Sequence, residues 1–506
     1  MGRFERTASD LCEPHGVVAQ TENPPEKTPT VKDIPPKAAD LSEWYQAVCY
    51  KAELVSLAPV RGCVVLRPYG FGLWERLQAE LDRRFKATGH ENAYFPLLIP
   101  ESLLVREAEH VEGFAPEVAW VTQGGGETLT ERLAIRPTSE VIIGTMYAEW
   151  LQSYRDLPIL INQWANVMRW EKRTRPFLRT LEFLWQEGHT AHETEEEAAQ
   201  EVAQMLEVYR EVAEDVVGVP VYVGEKSASE RFAGANHTYS IEALMPDGKA
   251  LQAGTSHELG QNFSRAYDIK FAGRDQKEQY AWTTSWGMSW RMLGAMIMVH
   301  GDDTGLRVPP KLAPIEVVIV PLASKGSTVA SAYAQRLYDE LRGDFRVKLD
   351  DRDLRPGNRF AHWDVRGVPL RIVVGERDLE AGVVTVVRRD IPLSDKAGRE
   401  RQVPLAEIGK TLGALLEEIQ ANLLREAREF LHTHTLTPTA HEEFLAMCRD
   451  RAGMIDIPWC ERPACEAAVK DATSATTRNL RTPARGKTCL ACGEPAKVQA
   501  YFAQSY

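Results

Sequence analysis

With 506 residues, 44% hydrophobic and 26% charged, the chain has the make-up of an ordinary globular protein, too long for one domain and suited to about three. Its formal net charge of −12 excludes a surface that is basic throughout, although a local basic patch is enough to bind RNA. No run of about eighteen uncharged apolar residues occurs, so no membrane span is expected; the first residues (MGRFERTASDLCEPHG) lack the apolar stretch of a secretory signal, and eight cysteines, four of them clustered, fit a reducing cytoplasm.

Residues 1 to about 38 are rich in Pro, Glu, Thr and Lys and lack apolar periodicity, and a disordered extension is expected there. Order is expected from Asp40, where DLSEW has the form of a capped helix start. Residues 61–68 read as a strand. Residues 71–88 have helical spacing, with Leu73, Leu77 and Leu81 on one stripe, and 91–100 (ENAYFPLLIP) is apolar and extended. In LAIRPTSEVIIG, residues 133–144, Thr138 and Glu140 stand two apart. In an extended loop both would address one ligand; just before a helix they would instead form a cap.

Residues 164–192, WANVMRWEKRTRPFLRTLEFLWQEGHTAH, read as two extended runs joined by a short basic loop. Side chains two apart share a face of a strand. That places Arg169 with Glu171, and sets Arg179, Leu181, Phe183, Trp185, Glu187 and His189 in one row. Paired as a hairpin, the runs bring together guanidinium groups, an aromatic wall, and an acid beside an imidazole. Lys172, Arg173 and Arg175 in the turn suit a polyphosphate, and Arg adds planar, bidentate recognition. A salt-bridged amphipathic hairpin is the plainer alternative.

Residues 193–215 form an acidic helical stretch, and 232–244 and 249–253 read as strands about a Pro-Asp-Gly turn. In QAGTSHELGQNFSRAYDI, residues 252–269, two glycines among small polar residues let a backbone approach a ligand closely. In SWGMSWRMLGAMIMVHGDDTGLRVPP, residues 285–310, Met292, Met296 and Val299 recur at helical spacing. Arg291 stands where the chain leaves a strand, two residues after Ser289.

A small α/β domain is expected from Pro314 onwards, with strands at 315–320, 345–349, 369–374 and 383–387 and a helix at 327–341. Its Arg352, Arg355, Arg359, Arg366, Arg388 and Arg389 are candidates for phosphate and base-edge contacts. A helical linker covers about 404–430. Beyond it, Cys460-x4-Cys465 and Cys489-x2-Cys492 supply four thiolates in two close pairs, which suits a closed, structural zinc site. The last residues, 500–506 (AYFAQSY), are apolar and aromatic and read as a final strand packed on the zinc-bearing region.

The 164–192 string closely resembles motif 2 of the class II aminoacyl-tRNA synthetases, in the form found in prolyl-tRNA synthetases of the archaeal and eukaryotic type. Residues 71–100 resemble motif 1, which carries the dimer interface, and 285–310 resemble motif 3. The resemblance spans roughly Asp40 to Tyr506. It implies an α/β multidomain chain: an antiparallel-sheet catalytic core over 39–312, an anticodon-binding α/β domain over 313–412, and a small zinc-bearing domain over 413–506.

By this resemblance the substrates are proline, ATP with Mg²⁺, and tRNA(Pro), handled by a homodimer. The proline pocket falls on Thr138, Glu140, Arg169, Trp185, Glu187, His189 and His257, and a protonated imino acid with two N–H donors suits its acids. The nucleotide falls on Arg169, Glu171, Arg179, Thr180, Gln252, Thr255, Ser289 and Arg291. Arg169 grips the α-phosphate and the amino-acid carboxylate, Glu171 reads the adenine amino group, and Arg291 meets the γ-phosphate. Only 96 residues separate His189 from Ser285, too few for the editing domain that bacterial-type prolyl enzymes insert there. In this family the chain also ends on Tyr, whose carboxylate reaches towards the active site, which gives Tyr506 a second reading besides packing. A threonyl- or glycyl-type relative is disfavoured by TSHELGQNF and by the Trp185, Glu187 and His189 row. A regulatory paralogue would have lost the ATP-binding arginines, and all three are present.

Overall fold

A computed structural model of the chain describes residues 34–110, 118–322 and 327–506. Residues 1–33 of the expected extension lie outside these. Residues 34–38 are held in place: the Lys37 ammonium donates to Gly301 O at 2.6 Å and its N–H to Asp303 at 2.7 Å. Helix α1 (Leu41–Lys51) starts as expected, its Asp40 cap accepting from the N–H groups of Ser42 and Glu43. Helix α2 (Pro68–Ala87) opens on Pro at a position where the missing N–H costs nothing, and buries Leu73, Leu77 and Leu81.

The expected strand at 61–68 shrinks to Val64–Leu66, and 91–100 is broken into β1 (Glu91–Asn92) and a short strand, Leu98–Pro100. Pro96 between them has no N–H to give a ladder. Leu98–Pro100 joins Trp120–Gly124 and Glu127–Ile135 in a three-stranded sheet, followed by α3 (Glu140–Trp150).

Next come β2 (Ile159–Met168), β3 (Glu182–His192), α4 (Glu195–Glu211), β4 (Tyr222–Glu225), β5 (His237–Leu244), β6 (Ala250–Gly260), β7 (Trp282–Ser289) and α5 (Arg291–His300). Residues 232–236, expected as strand, precede β5. Of the stretch 252–269, read as letting a backbone approach a ligand, residues 252–260 belong to β6, a central strand paired along both edges, and 262–267 form a short helix.

The small α/β region holds β8 (Val317–Leu322), α6 (Val329–Leu341), β9 (Val347–Leu349), α7 (Pro356–Arg366), β10 (Leu370–Gly375), β11 (Val383–Arg388) and β12 (Glu400–Pro404), in the sheet order β9-β8-β10-β11-β12. Helix α7 was not expected, although Pro356 at its start and Gly367 at its end, with φ of 69°, are ordinary helix punctuation. The 26-residue α8 (Ile408–Thr433) then leads to β13 (Thr435–Leu436), β14 (Met454–Trp459), α9 (Pro463–Thr473), β15 (Thr476–Pro483) and β16 (Val498–Ala503).

These last strands continue the sheet formed by β1 to β7. Among the described residues one eleven-stranded sheet runs β13-β14-β16-β15-β4-β5-β6-β7-β3-β2-β1, antiparallel except at its two ends. Leu480 of β15 pairs with Glu225 of β4. At the end of the chain Ala250 donates to Gln504 O at 2.8 Å, and Tyr506 donates to Ala250 O at 3.1 Å. The Tyr506 hydroxyl reaches Asp247 at 2.8 Å; its ring packs on the main core, whereas Phe502 packs in the cluster that holds the cysteines, where the packing reading placed the final strand.

The sheet has two unlike faces, because side chains alternate along each strand. One face meets α1, α2, α4 and α5 through residues such as Phe85, Tyr209, Trp286 and Met296. Gly188 belongs to that face, where a Cβ would stand 2.1 Å from the Trp286 ring. The other face is left for a cavity.

Candidate active site

The cavity measures about 270 Å³ and is floored by the alternate residues of three neighbouring strands. β3 supplies Phe183, Trp185, Glu187 and His189; β6 supplies Gln252, Thr255 and His257; β7 supplies Ser285, Gly287 and Ser289. Thr138, Glu140, Arg169 and Arg291 complete it.

The expected row from Arg179 to His189 is only half a strand. β3 starts at Glu182, Leu181 is buried, and Arg179 lies in the preceding loop. Arg169 and Glu171 likewise lie beyond the end of β2, so strand periodicity does not align them. Arg169 is held by its N–H to Leu181 O at 2.8 Å and by Nε to Pro137 O at 3.1 Å. Its guanidinium stands over the Phe183 and Trp185 rings, 5.5 and 5.2 Å from their centroids. Glu171 is paired with Arg179 at 3.0 Å, and both line a side pocket with Thr180, Ser289 and Arg291. The Thr180 hydroxyl itself donates to Glu182 O at 2.7 Å.

Arg291 is the first residue of α5; its N–H donates to Ser289 Oγ at 3.2 Å and its Nε to Leu178 O at 3.1 Å. Burial, then the neighbouring charges of Arg169 and Arg179, lower its pKa to about 10. Three guanidinium groups brought this close disfavour one another until an anion arrives. A polyphosphate is such an anion.

At the other end, Glu187 is buried and its carboxylate accepts from Ser139 N–H at 3.0 Å, Ser139 Oγ at 2.5 Å and Gln163 Nε2 at 2.9 Å, with His189 Nε2 at 3.2 Å. Burial pushes the Glu187 pKa up, but His189, Ser139 and Gln163 outweigh it and hold the carboxylate below its usual range. Burial lowers the His189 pKa, and its bond to Glu187 with the charges of Glu140 and Glu187 more than restores it. Both shifts favour the charged forms, a carboxylate beside an imidazolium. Glu140 opens α3 and accepts from the Thr138 hydroxyl, and both line the cavity; the N-cap residue is Ser139, which makes no side-chain capping bond, so the pair does not form the cap that was the alternative reading. His257 sits against Phe232, 4.6 Å between rings, and bonds Thr238 at 3.0 Å. Burial and His189 drop its pKa to about 3, leaving it neutral.

Five contributors were missed in the sequence: Ser139, Gln163, Phe232, Thr238 and Ser285. Gln163 was within reach, since hairpin register sets it directly across from Glu187. Buried Trp185 Nε1 and Ser285 Oγ have no protein partner among the described residues, and both line the cavity. Each would suit a ligand oxygen.

The four cysteines converge as expected, with one sulfur from each within 4.8 Å of the others. The Cys460–Cys492 and Cys465–Cys489 sulfurs stand 3.6 and 4.0 Å apart. Tetrahedral coordination with Zn–S bonds of about 2.3 Å requires sulfurs roughly 3.8 Å apart, so the donor set fits zinc.

The six arginines proposed for RNA contact are mostly spoken for. Arg359 is buried against Asp350 O and Pro321 O, and Arg366 is buried with Glu53. Arg388 binds Asp390 and Glu418, and Arg389 makes a bidentate pair with Asp302 at 2.7 and 2.6 Å. Arg352 pairs with Asp350 yet stays exposed, and Arg355 is exposed at the start of α7. Buried arginines satisfying carbonyls look like surface arginines in a sequence.

Three family descriptions match the chain: the tRNA synthetase class II core domain (G, H, P, S and T) over residues 121–300, an anticodon binding domain over 316–415, and a prolyl-tRNA synthetase C-terminal domain over 441–506. The proline--tRNA ligase of Symbiobacterium thermophilum is 55% identical over 487 residues, covering 94% of this chain and 99% of that protein. Those of Natranaerobius thermophilus and Rubrobacter xylanophilus are 51% and 50% identical, over 94% and 95% of this chain and 98% and 100% of their own.

Proposed function

Because the chain belongs to the proline--tRNA ligase family of class II synthetases, we propose that the cavity on the open sheet face is where proline meets MgATP. The reaction is ATP-dependent attachment of proline to tRNA. A carboxylate oxygen of proline attacks the α-phosphorus, the bond to the bridging oxygen breaks, and pyrophosphate leaves. The 3′-terminal ribose hydroxyl of the tRNA then attacks the prolyl carbonyl and AMP departs.

No side chain has to act as nucleophile, so the residues work by placement and charge. Glu140 and Glu187, with Thr138, take the ring ammonium, and Trp185, His189 and neutral His257 shape the space around the ring. Arg169 bridges the proline carboxylate and the α-phosphate. Arg179 and Arg291 neutralise the outer phosphates, Glu171 with Thr180 faces the adenine, and Gln252, Thr255 and Ser289 hold the sugar and phosphates. The observation that carries this reading is the convergence of three guanidinium groups beside an acid-lined cage.

The same reading makes tRNA(Pro) the acceptor, with exposed Arg352 and Arg355 as anticodon contacts. It makes zinc the occupant of the four cysteines, holding α9 and the loop at 489–492 together. A second copy of the chain would cover Tyr94, Leu98, Trp120 and Trp150, which lie exposed on and beside the three-stranded sheet. A cytoplasmic setting goes with this role; among the described residues no helix is long and apolar enough to cross a membrane. Pyrophosphate exchange measured with each amino acid tests the assignment. Proline should drive it best, and faster exchange with threonine or glycine would overturn it.

A further inference from the structure

A buried charge cluster adjoins the cavity without opening into it. By cross-strand register, Glu242 of β5 lies directly opposite Gln252 of β6, on the sheet face that carries the cavity. Yet Glu242 has no exposed surface, because two cations cover it. Lys226 Nζ stands 3.2 Å from Oε1. Arg478 of β15 donates from Nη2 to Oε2 at 2.9 Å and to Oε1 at 3.0 Å, and from Nε to Oε2 at 3.2 Å. Arg478 is itself steadied by Thr476 Oγ1 at 3.2 Å, and its neighbour Asn479 is bonded to Ser240.

Three buried ions are unfavourable to keep unless their position serves a purpose. Gln252, the cross-strand neighbour of Glu242, lines the same cavity as Arg291, which brings the Glu242 charge to bear on that guanidinium. Its side-chain bond goes to the Leu178 carbonyl, and among the described residues it forms no ion pair with a carboxylate. A Glu242 carboxylate no longer balanced by its cations would compete for that guanidinium, and an Arg291 neutralised by a carboxylate is lost to phosphate.

We infer that Arg478, with Lys226, is a positioning residue of the nucleotide site: it holds the Glu242 carboxylate against the C-terminal strand and away from Arg291, leaving that guanidinium for the outer phosphates of ATP. The inference rests on the assignment of Gln252 and Arg291 to the nucleotide. It gives the C-terminal region a part in ATP use that is separate from zinc.

The test is proline-dependent pyrophosphate exchange by the full-length, zinc-loaded protein, with KM measured separately for ATP and for proline. Arg478→Met should raise the ATP KM about tenfold or more while the proline KM stays within about twofold. Adding Glu242→Gln to Arg478→Met should bring the ATP KM most of the way back, since the harm comes from the freed carboxylate. Arg478→Lys, which keeps a cation at Glu242 and folds more readily, should fall between. Equal changes in both KM values, an unchanged ATP KM in folded Arg478→Met, or no recovery on adding Glu242→Gln would overturn the inference. Arg291→Ala separates the two levels. If it loses exchange while the Arg478 variants do not, the nucleotide assignment stands and Arg478 has no part in it. If Arg291→Ala retains normal exchange and ATP KM, both fall.

Discussion

Ser139 holds both oxygens of the Glu187 carboxylate, its N–H donating to Oε2 at 3.0 Å and its hydroxyl to Oε1 at 2.5 Å. The residue that does this is the one immediately before Glu140, so a single turn of chain fixes two acids relative to each other. Ser139→Ala removes one charge-assisted bond of about 1.5–3 kcal/mol. The proline KM should rise roughly ten- to a hundredfold on that figure, with the ATP KM little changed. Steady-state exchange kinetics with each substrate varied in turn will check it.

Arg169 lines both the acid-bearing cavity and the side pocket that holds Glu171 and Arg179, and the proposed function has it touch both substrates. Arg169→Ala should slow adenylate formation by about a hundredfold or more. Single-turnover formation of prolyl-adenylate within about tenfold of wild type would remove the assignment.

The Glu187–His189 pair predicts a pH signature in stability. The His189 pKa is raised in the folded chain, so its contribution is complete below the unfolded value of about 6.5 and is lost as pH climbs through the raised value. The Glu187 pKa is lowered, so its contribution is present above about 4.3 and is lost as pH falls through the lowered value. Melting curves of wild type and His189→Asn should therefore lie furthest apart between those limits and draw together on the alkaline side. A constant gap from pH 6 to 9 would contradict the ion pair.

Metal analysis should return one zinc per chain. Cys460→Ser, or a strong chelator, should lower the melting temperature more than it lowers exchange at saturating substrates, since a closed site acts through folding. Full stability without metal would remove the zinc reading.

The stretch between His189 and Ser285 is filled by α4 and strands β4 to β6, all part of the core. Without an inserted editing domain, alanine is rejected only by lost apolar contact, worth about 10–200-fold per methylene. Alanine should be activated detectably, and Ala-tRNA should persist in the presence of the protein. Rapid hydrolysis of preformed Ala-tRNA would count against this.

Local patterns in the sequence carried much of the site. The alternation of Phe183, Trp185, Glu187 and His189 was readable because a strand repeats every two residues. Arg169 and Glu171 were paired by a strand periodicity that the fold lacks at this point: a loop, not a strand, presents them. The sequence left the element that carries Thr255 and His257 unassigned, because small polar residues and glycines do not distinguish a turn from a strand buried between two neighbours. Ser139 and Gln163 went unseen because their partner lies 48 and 24 residues away, and only the folded register brings them together. The arginines of the small α/β region failed differently. Composition supplies the charge but not its partner, and carbonyls or carboxylates from distant segments had already claimed most of them.

The shared sheet also bears on how the protein is made. A ribosome delivers β14 to β16 only after more than two hundred further residues have followed β4 out of the tunnel. Until then β4, like any edge strand, offers unpaired peptide groups to whatever extended segment comes near. A nascent chain stalled before Thr476 would carry every cavity-lining residue and still have an open sheet. Such fragments should therefore depend on chaperones and aggregate readily, which makes this seam a natural place for quality control to act.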